Sequence, residues 1–589
     1  MSQPHSFGFG ARLIGPQTAR FRIWAPDSEA VSLEIDDRST FAMERDEAGV
    51  FMVEAPCRAG ARYRYRLASG ATVPDPASFA QDSDVHDSSI VVDHGQYRWR
   101  VADWLGRPWH EAVIYELHVG LYGGFAAVAA DLPRLAKLGF TAIEIMPIAD
   151  FPGKRNWGYD GVLPYAPDNA YGSPDELKAL VDRAHELGLM VLLDVVYNHF
   201  GPDGNYLNSY AAPFFRQDIH TPWGGAIDFG QSQVQRFFIE NAIYWLNGYR
   251  FDGLRFDAVH AINDTGFLML LAHEIRHTVS ADRKIHLILE NEKNDARLLN
   301  SLVERRNFDA QWSDDWHHCV HVLLTGEKEG YYEDFQQPAR QLARALREGF
   351  VYQGEPSPHA SGKPRGTPSG QLPSTCFVIA LQNHDQIGNR AMGERLSSLA
   401  PPQALRAATL LLLMTPQIPL VFMGDEWSET RPFLYFTDHH DELAEAVRNG
   451  RRKEFARFAT FADPEQRETI PDPNAIETFK TCALANPESP TPRQAETLAL
   501  YEQALRFRAE HIIPRLVGAT AIDAIALGDA SVRASWKMGD GAVLTIAANL
   551  GAKSVMCPAG EGMLLITTAS GMTPEGTLPG YTTCVWLHH

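Results

Sequence analysis

The chain is expected to fold as an α/β protein, a (β/α)8 barrel carrying an N-terminal β-sandwich and a C-terminal β domain. Three observations predict this. Residues 1 to about 95 alternate apolar and polar with period two. From about residue 112 strand-like and helix-like segments alternate through roughly eight units. From about residue 515 the texture returns to short strands. At 589 residues the chain exceeds one ordinary domain. The divisions are drawn at 1–95, 96–514 and 515–589.

The elements follow in order. Phe21–Pro26, Val31–Ile35 and Arg62–Leu67 are period-two strands punctuated by Gly and Pro, which predicts a small immunoglobulin-like sandwich. Trp24 reads as core. The barrel opens with a strand over Ala112–His118. Phe125, Val128, Leu132 and Leu135 recur at helical spacing until Gly139. Thr141–Pro147 is a strand, and Ser173-Pro174-Asp175-Glu176 is a capping box opening a helix. Leu189–Tyr197 is a nearly continuous apolar strand. Ser232 reads as the cap of a helix ending near Gly248. Strand Phe251–His260, helix Thr265–Ser280 and strands His286–Asn291, Phe377–Asp385 and Ile418–Glu426 complete the pattern. An open doubly wound sheet would normally show a Gly-rich phosphate turn; neither GxGxxG nor GxxxxGK[ST] occurs. Residues 460–495, rich in Pro, Asp, Glu and Thr, read as a surface excursion.

Composition narrows the function. Hydrophobic residues at 45% and charged residues at 21% describe a globular protein. A formal net charge of -20 argues against nucleic acid and anionic membrane partners. Met1–His5 has no signal-peptide character, and the apolar run Leu410–Met414 is too short to span a bilayer. Cys57, Cys319, Cys376, Cys482, Cys557 and Cys584 show no CxxC, so they are expected to be plain thiols in a reducing cytoplasm.

In a (β/α)8 barrel, reactive residues gather at the carboxyl ends of strands. Asp194, Asn198 and His199 close the third strand; Arg255, Asp257 and His260 close the fourth; Glu290 closes the fifth; Gln382–Gln386 close the seventh. Asp257, Glu290 and Asp385 would then face one pocket. A glycosidase needs one ionised carboxylate and one carboxylic acid. Arg255, on the same strand face as Asp257, would hold Asp257 ionised, and Glu290, leaving an apolar strand, would have its pKa raised by desolvation. Asp385 would place a third negative charge against an oxocarbenium-like transition state.

The blocks Asp194–His199, Gly253–His260, Glu290 and Asn383–Asp385, with Trp157–Asp160, resemble those of the α-amylase superfamily, glycoside hydrolase family 13. Within it Ala142–Pro147, Ser313–His318, Leu323–Glu327, Gly349–Gly354 and Phe433–His439 resemble the malto-oligosyltrehalose trehalohydrolase family. The shorter Gly120–Phe125 loop and the Asp425-Glu426-Trp427 sequence depart from that pattern.

The resemblance implies that the N-terminal sandwich is carbohydrate-module-like, and it implies retaining hydrolysis of the α-1,4 bond joining trehalose to a maltooligosaccharide. Asp257 is then the nucleophile, Glu290 the acid/base and Asp385 the stabiliser. Tyr159, His199, Arg255, His260 and His384 are expected around the sugar at subsite −1. Further substrate contacts are expected from Asp314, Asp315, Trp316, His317, His318, Asn383, Gln386 and Gly388. Trp316 and Trp223 suit sugar stacking and core packing equally. Asn198 stands where many α-amylases bind calcium, but no acidic loop accompanies it, so neither metal nor cofactor is expected. A malto-oligosyltrehalose synthase is the expected functional partner, and the chain is expected to be a monomer or homodimer. A glycogen branching enzyme shares the architecture and triad and is the rival reading. A non-catalytic glycan-binding barrel would be expected to lack one of the carboxylates.

Overall fold

A computed structural model describes residues 8–221, 224–299, 307–484, 489–569 and 576–589. Met1–His5 and Trp223 lie outside them.

The barrel is closed by eight parallel strands in chain order. They are β1 Ile114–Leu117, β2 Ala142–Ile145, β3 Met190–Val195, β4 Gly253–Phe256, β5 His286–Leu289, β6 Ala310–Trp312, β7 Phe377–Ala380 and β8 Ile418–Phe422. Sequence reasoning did not find β6. Three residues are too few to show a period.

Three strands stop earlier than the sequence suggests, and this shapes the site. Strand β4 ends at Phe256, β5 at Leu289 and β7 at Ala380. Asp257 and Glu290 therefore follow the last paired residue of their strands. Asp385 lies in a short helix, His384–Gly388, whose N-cap Asn383 accepts hydrogen bonds from the backbone N–H groups of Asp385 and Gln386. The helix over Ser232–Gly248 also differs: Gln231 occupies its N-cap and Ser232 is already helical. Asp228 organises the preceding turn, accepting from Gly230 N and Gln231 Nε2. The Ser173 capping box forms as expected.

Gly253 opens β4 where a Cβ would lie 2.5 Å from the His286 carbonyl oxygen on β5. Only glycine permits that approach, which sets the spacing between the strands carrying Arg255 and leading to Glu290.

At the N-terminal end two antiparallel sheets face each other. Phe21, Ile23, Leu33, Tyr63 and Tyr65 are buried between them, and both tyrosine hydroxyls donate to Asp75 Oδ2, at 2.8 and 3.1 Å. Trp24 is core: it donates to Ala48 O and packs on Phe214. At the C-terminal end a five-stranded antiparallel sheet docks on helix Pro402–Met414, where Thr583 Oγ1 donates to Ala407 O. Most described residues of the 460–495 segment are exposed or half-buried, as expected of a surface excursion, yet the segment is tied to the barrel. Helix Ile476–Cys482 packs back, with Phe479 against Phe436 and Cys482 fully buried, because these apolar side chains share one helical face.

Candidate active site

Parallel pairing of β3 with β4 sets Arg255 beside Asp194 at the carboxyl rim of the barrel. The guanidinium is wholly buried and touches three carboxylates. Nη1 donates to Asp194 Oδ2 at 2.7 Å and to Asp257 Oδ1 at 2.9 Å. Nη2 lies 2.8 Å from Glu290 Oε2, an ion pair in which the N–H is not aimed along the contact. The cation also stacks over Trp312, 4.1 Å from the ring centroid. A buried cation is costly unless paired, and here all its partners are reactive-site groups.

Asp257 is held from two sides. Asn198 Nδ2 donates to its Oδ2 at 2.7 Å and to its backbone carbonyl at 2.9 Å. Asn198 thus presents its amide hydrogens to Asp257, which is the wrong polarity for a cation. Among the described residues no cluster of three acidic, His or Cys side chains is placed to hold a metal. Ala258, next in the chain, adopts the left-handed conformation at φ 40°. That costs energy for a residue with a Cβ. It turns Ala258 N toward Glu290 Oε2 at 2.8 Å. Glu290 leaves an apolar strand as expected, but its Oε2 meets a backbone donor and a guanidinium, both of which act against the expected effect of desolvation.

A second network reaches the site from β1. Glu116 accepts from His384 Nδ1, His384 Nε2 lies 2.7 Å from the Tyr159 hydroxyl, and that hydroxyl donates to Asp194 Oδ2 at 2.7 Å. Burial alone would push the imidazolium down, but Asp385 and Glu116 outweigh it and lift His384 to about 9. Asp385 lies 3.5 Å from the same ring. Its own pKa is raised by burial, with His384 opposing and Glu290 adding to the rise. Burial likewise lifts Asp194 to about 7 despite Arg255. Asp314 rises to about 8 through burial, reinforced by Glu290 and Asp385.

A cavity of about 330 Å³ opens from Glu290 and Asp385 toward Asp314, His318, Tyr331 and His359. His260 and Gln386 also line it, so four of the expected substrate contacts (His260, Asp314, His318 and Gln386) meet there beside Glu290 and Asp385. Arg255, Asp257, Tyr159 and His384 do not line this cavity and are joined to one another by the networks just described.

Several expected contacts are placed elsewhere. Trp316 is fully buried in the core, so it offers no face to a sugar. Asp315 is fully buried and accepts from Asn294 Nδ2 and the backbone N–H groups of Val351 and Tyr352. His317 is 2% exposed and is engaged by Leu381 O and the Tyr332 hydroxyl. All three lie on helix Asp314–Thr325, whose inward face is packed while Asp314 and His318 reach the cavity. Gly388 acts through packing: a Cβ there would lie 1.9 Å from the Trp157 ring. His199 contacts Tyr159 O at 2.9 Å and the Asn198 side-chain oxygen, so its ring braces the site. Asn383 is a helix cap. Sequence reasoning missed Glu116, Tyr331 and His359. Glu116 carried a signal, being an acidic residue between Tyr115 and Leu117 in an otherwise apolar first strand.

A closed parallel barrel with three carboxylates around one guanidinium at its carboxyl rim defines a glycosidase of the α-amylase class. The alpha amylase catalytic domain model matches residues 76–220, and a domain of unknown function, DUF3459, matches residues 519–586. A malto-oligosyltrehalose trehalohydrolase of Deinococcus radiodurans is 42% identical over 507 residues, covering 85% of this chain and 82% of that protein. A crystal structure of a Salmonella typhimurium protein assigned to the alpha amylases superposes with a TM-score of 0.93 at 42% identity, covering 99% of this chain and all of the other. The 1,4-alpha-glucan branching enzyme of Pseudoalteromonas atlantica is 33% identical over 276 residues, only 41% of this chain and 38% of that enzyme. The chain belongs to the malto-oligosyltrehalose trehalohydrolase family. Among the described residues no helix is long and apolar enough to cross a membrane.

Proposed function

We propose that the protein hydrolyses the α-1,4-glucosidic bond between trehalose and the maltooligosaccharide of maltooligosyltrehalose, with retention, and releases trehalose. The observation that carries the chemistry is the sharing of Arg255 by Asp257 and Glu290. One planar cation, 2.9 and 2.8 Å from the two carboxyl groups, keeps them close together, flanking the place of the scissile bond. That suits the close pair of a retaining enzyme, about 5–5.5 Å apart, rather than the wider pair of an inverting one.

The steps follow from the contacts. Asp257, held by Arg255 and Asn198, attacks the anomeric carbon of the −1 sugar as a carboxylate. Glu290, at the mouth of the leaving-group cavity, protonates the departing oxygen of trehalose. Its Oε2 is anchored by Ala258 N and Arg255, so the transferable proton is carried on Oε1. It then removes a proton from the water that cleaves the glycosyl ester. Asp385 opposes the positive charge developing at the ring, and His384 beside it favours its carboxylate form against the effect of burial. The Tyr159 ring, stacked on His384 at 5.2 Å, forms the floor under the sugar.

A malto-oligosyltrehalose synthase would supply the substrate. We place the enzyme in a reducing cytoplasm, a reading supported by six buried free thiols.

The test is incubation with maltotriosyltrehalose beside maltopentaose. Rapid trehalose release with slow maltopentaose cleavage is expected. New α-1,6 branches in place of free trehalose would overturn the reading in favour of a transglycosylase.

A further inference from the structure

A second cavity, of about 660 Å³, lies beside the leaving-group cavity, and Tyr331 and Asn389 line both. It is twice as large and within the usual range for small-molecule sites. Its walls are those a sugar uses. Half-buried Phe458 and Phe461 supply apolar faces, with Phe455 buried behind them, and exposed Arg457 stacks on Phe458 at 5.1 Å. Arg390 is fixed at the opposite wall by Glu327, at 2.7 and 3.0 Å, and by Glu394 at 3.1 Å. Rigid aromatic faces with charged hydrogen-bonding groups at the edge suit a neutral polyhydroxyl ligand.

The substrate does not extend into this space. On the reading proposed above, trehalose fills the leaving-group side, and a 1,1-linked disaccharide has no further sugar to continue beyond Tyr331. Whatever binds there is a separate molecule. The geometry points to a second binding site for a free α-linked diglucoside, and trehalose is the one the reaction itself supplies, delivered on the other side of a shared wall. The site sits outside the bond-breaking machinery, so its occupant acts on turnover only through Tyr331 and Asn389. This inference rests on the orientation assigned in the proposed reaction.

The experiment counts trehalose bound to the full-length protein by equilibrium dialysis and repeats the count with Arg457→Ala/Phe458→Ala. Neither residue belongs to the catalytic or leaving-group machinery. Two molecules per chain are expected in the wild type and one in the variant, with kcat and KM for maltotriosyltrehalose changed by less than about twofold, as befits a site outside the reacting contacts. One molecule in both proteins, or two in both, overturns the inference. A KM increase in the double variant also overturns it, because the groove would then belong to the substrate chain. Failure of the proposed reaction shows separately, as absence of trehalose release from maltotriosyltrehalose with the binding counts unchanged.

Discussion

At the scale of single residues, the site is a set of carboxylates whose protons are assigned by neighbours. Asp257→Ala removes the attacking oxygen and Glu290→Gln the transferable proton. Each is expected to lower kcat by at least about 10³-fold, with an unchanged far-UV circular dichroism spectrum. Asn198 matters less directly. Asn198→Ala leaves Asp257 with Arg255 alone, and a kcat reduced by roughly 10–100-fold, with KM little changed, is expected from the loss of one charge-assisted hydrogen bond. His384 governs a pH effect. Its folded pKa, about 9, stands above the ordinary 6.5. The folded state therefore binds a proton that the unfolded state has already released in this window. The associated stability, on the order of 3 kcal/mol, is fully present below pH 6.5 and is lost as pH rises through 9. Denaturant titrations of the wild type from pH 6 to 9.5 should show this decline, and His384→Asn should lack that part of it.

Elements place these residues, and here sequence and structure diverge in an instructive way. The strand-end blocks at Asp194, Arg255–Asp257 and Glu290 were legible because barrel strands are short apolar runs in which charges stand out. What followed each strand was not. The helix that carries Asp385 spans five residues, too short for periodicity, and only its cap, Asn383, marks it. Helix Asp314–Thr325 was recognised as a block of similarity, yet a motif does not say which of its side chains face the cleft. Packing decided that, sending Trp316 and His317 inward. Arg255's contact with Glu290 spans 35 positions and depends on strand spacing, which no local pattern reports. That spacing is testable at Gly253. Gly253→Ala forces the β4–β5 pair apart at a contact that would be 2.5 Å. We expect about 1–3 kcal/mol of destabilisation by denaturant unfolding, with kcat falling because Arg255 and Glu290 move relative to each other.

Across the whole molecule, the N-terminal sandwich is joined to the barrel by specific bonds. Asp27 Oδ2 accepts from Ala212 N at 2.7 Å, and Asp84 Oδ2 accepts from Gly153 N at 3.2 Å in the loop that leads to Tyr159. The compositional change near residue 95 was visible in the sequence; this docking was not, because it depends on side chain to backbone contacts 185 and 69 positions apart. A chain beginning at residue 96 is therefore expected to lose most activity and to bind the dye ANS through newly exposed apolar surface. Full activity in that fragment would show that the sandwich does not support the catalytic loops.

The sharing of Arg255 has an evolutionary consequence. A lysine cannot reproduce three simultaneous contacts with a single point charge, and removing any one carboxylate alters the field felt by the other two. Substitutions here are strongly coupled, so single steps away from this arrangement lead downhill. Lineages built on this barrel have little freedom at its floor. New substrate preferences have to arise in the outer wall, at positions such as Tyr331 and His359, where one side chain can change without disturbing the charges beneath it.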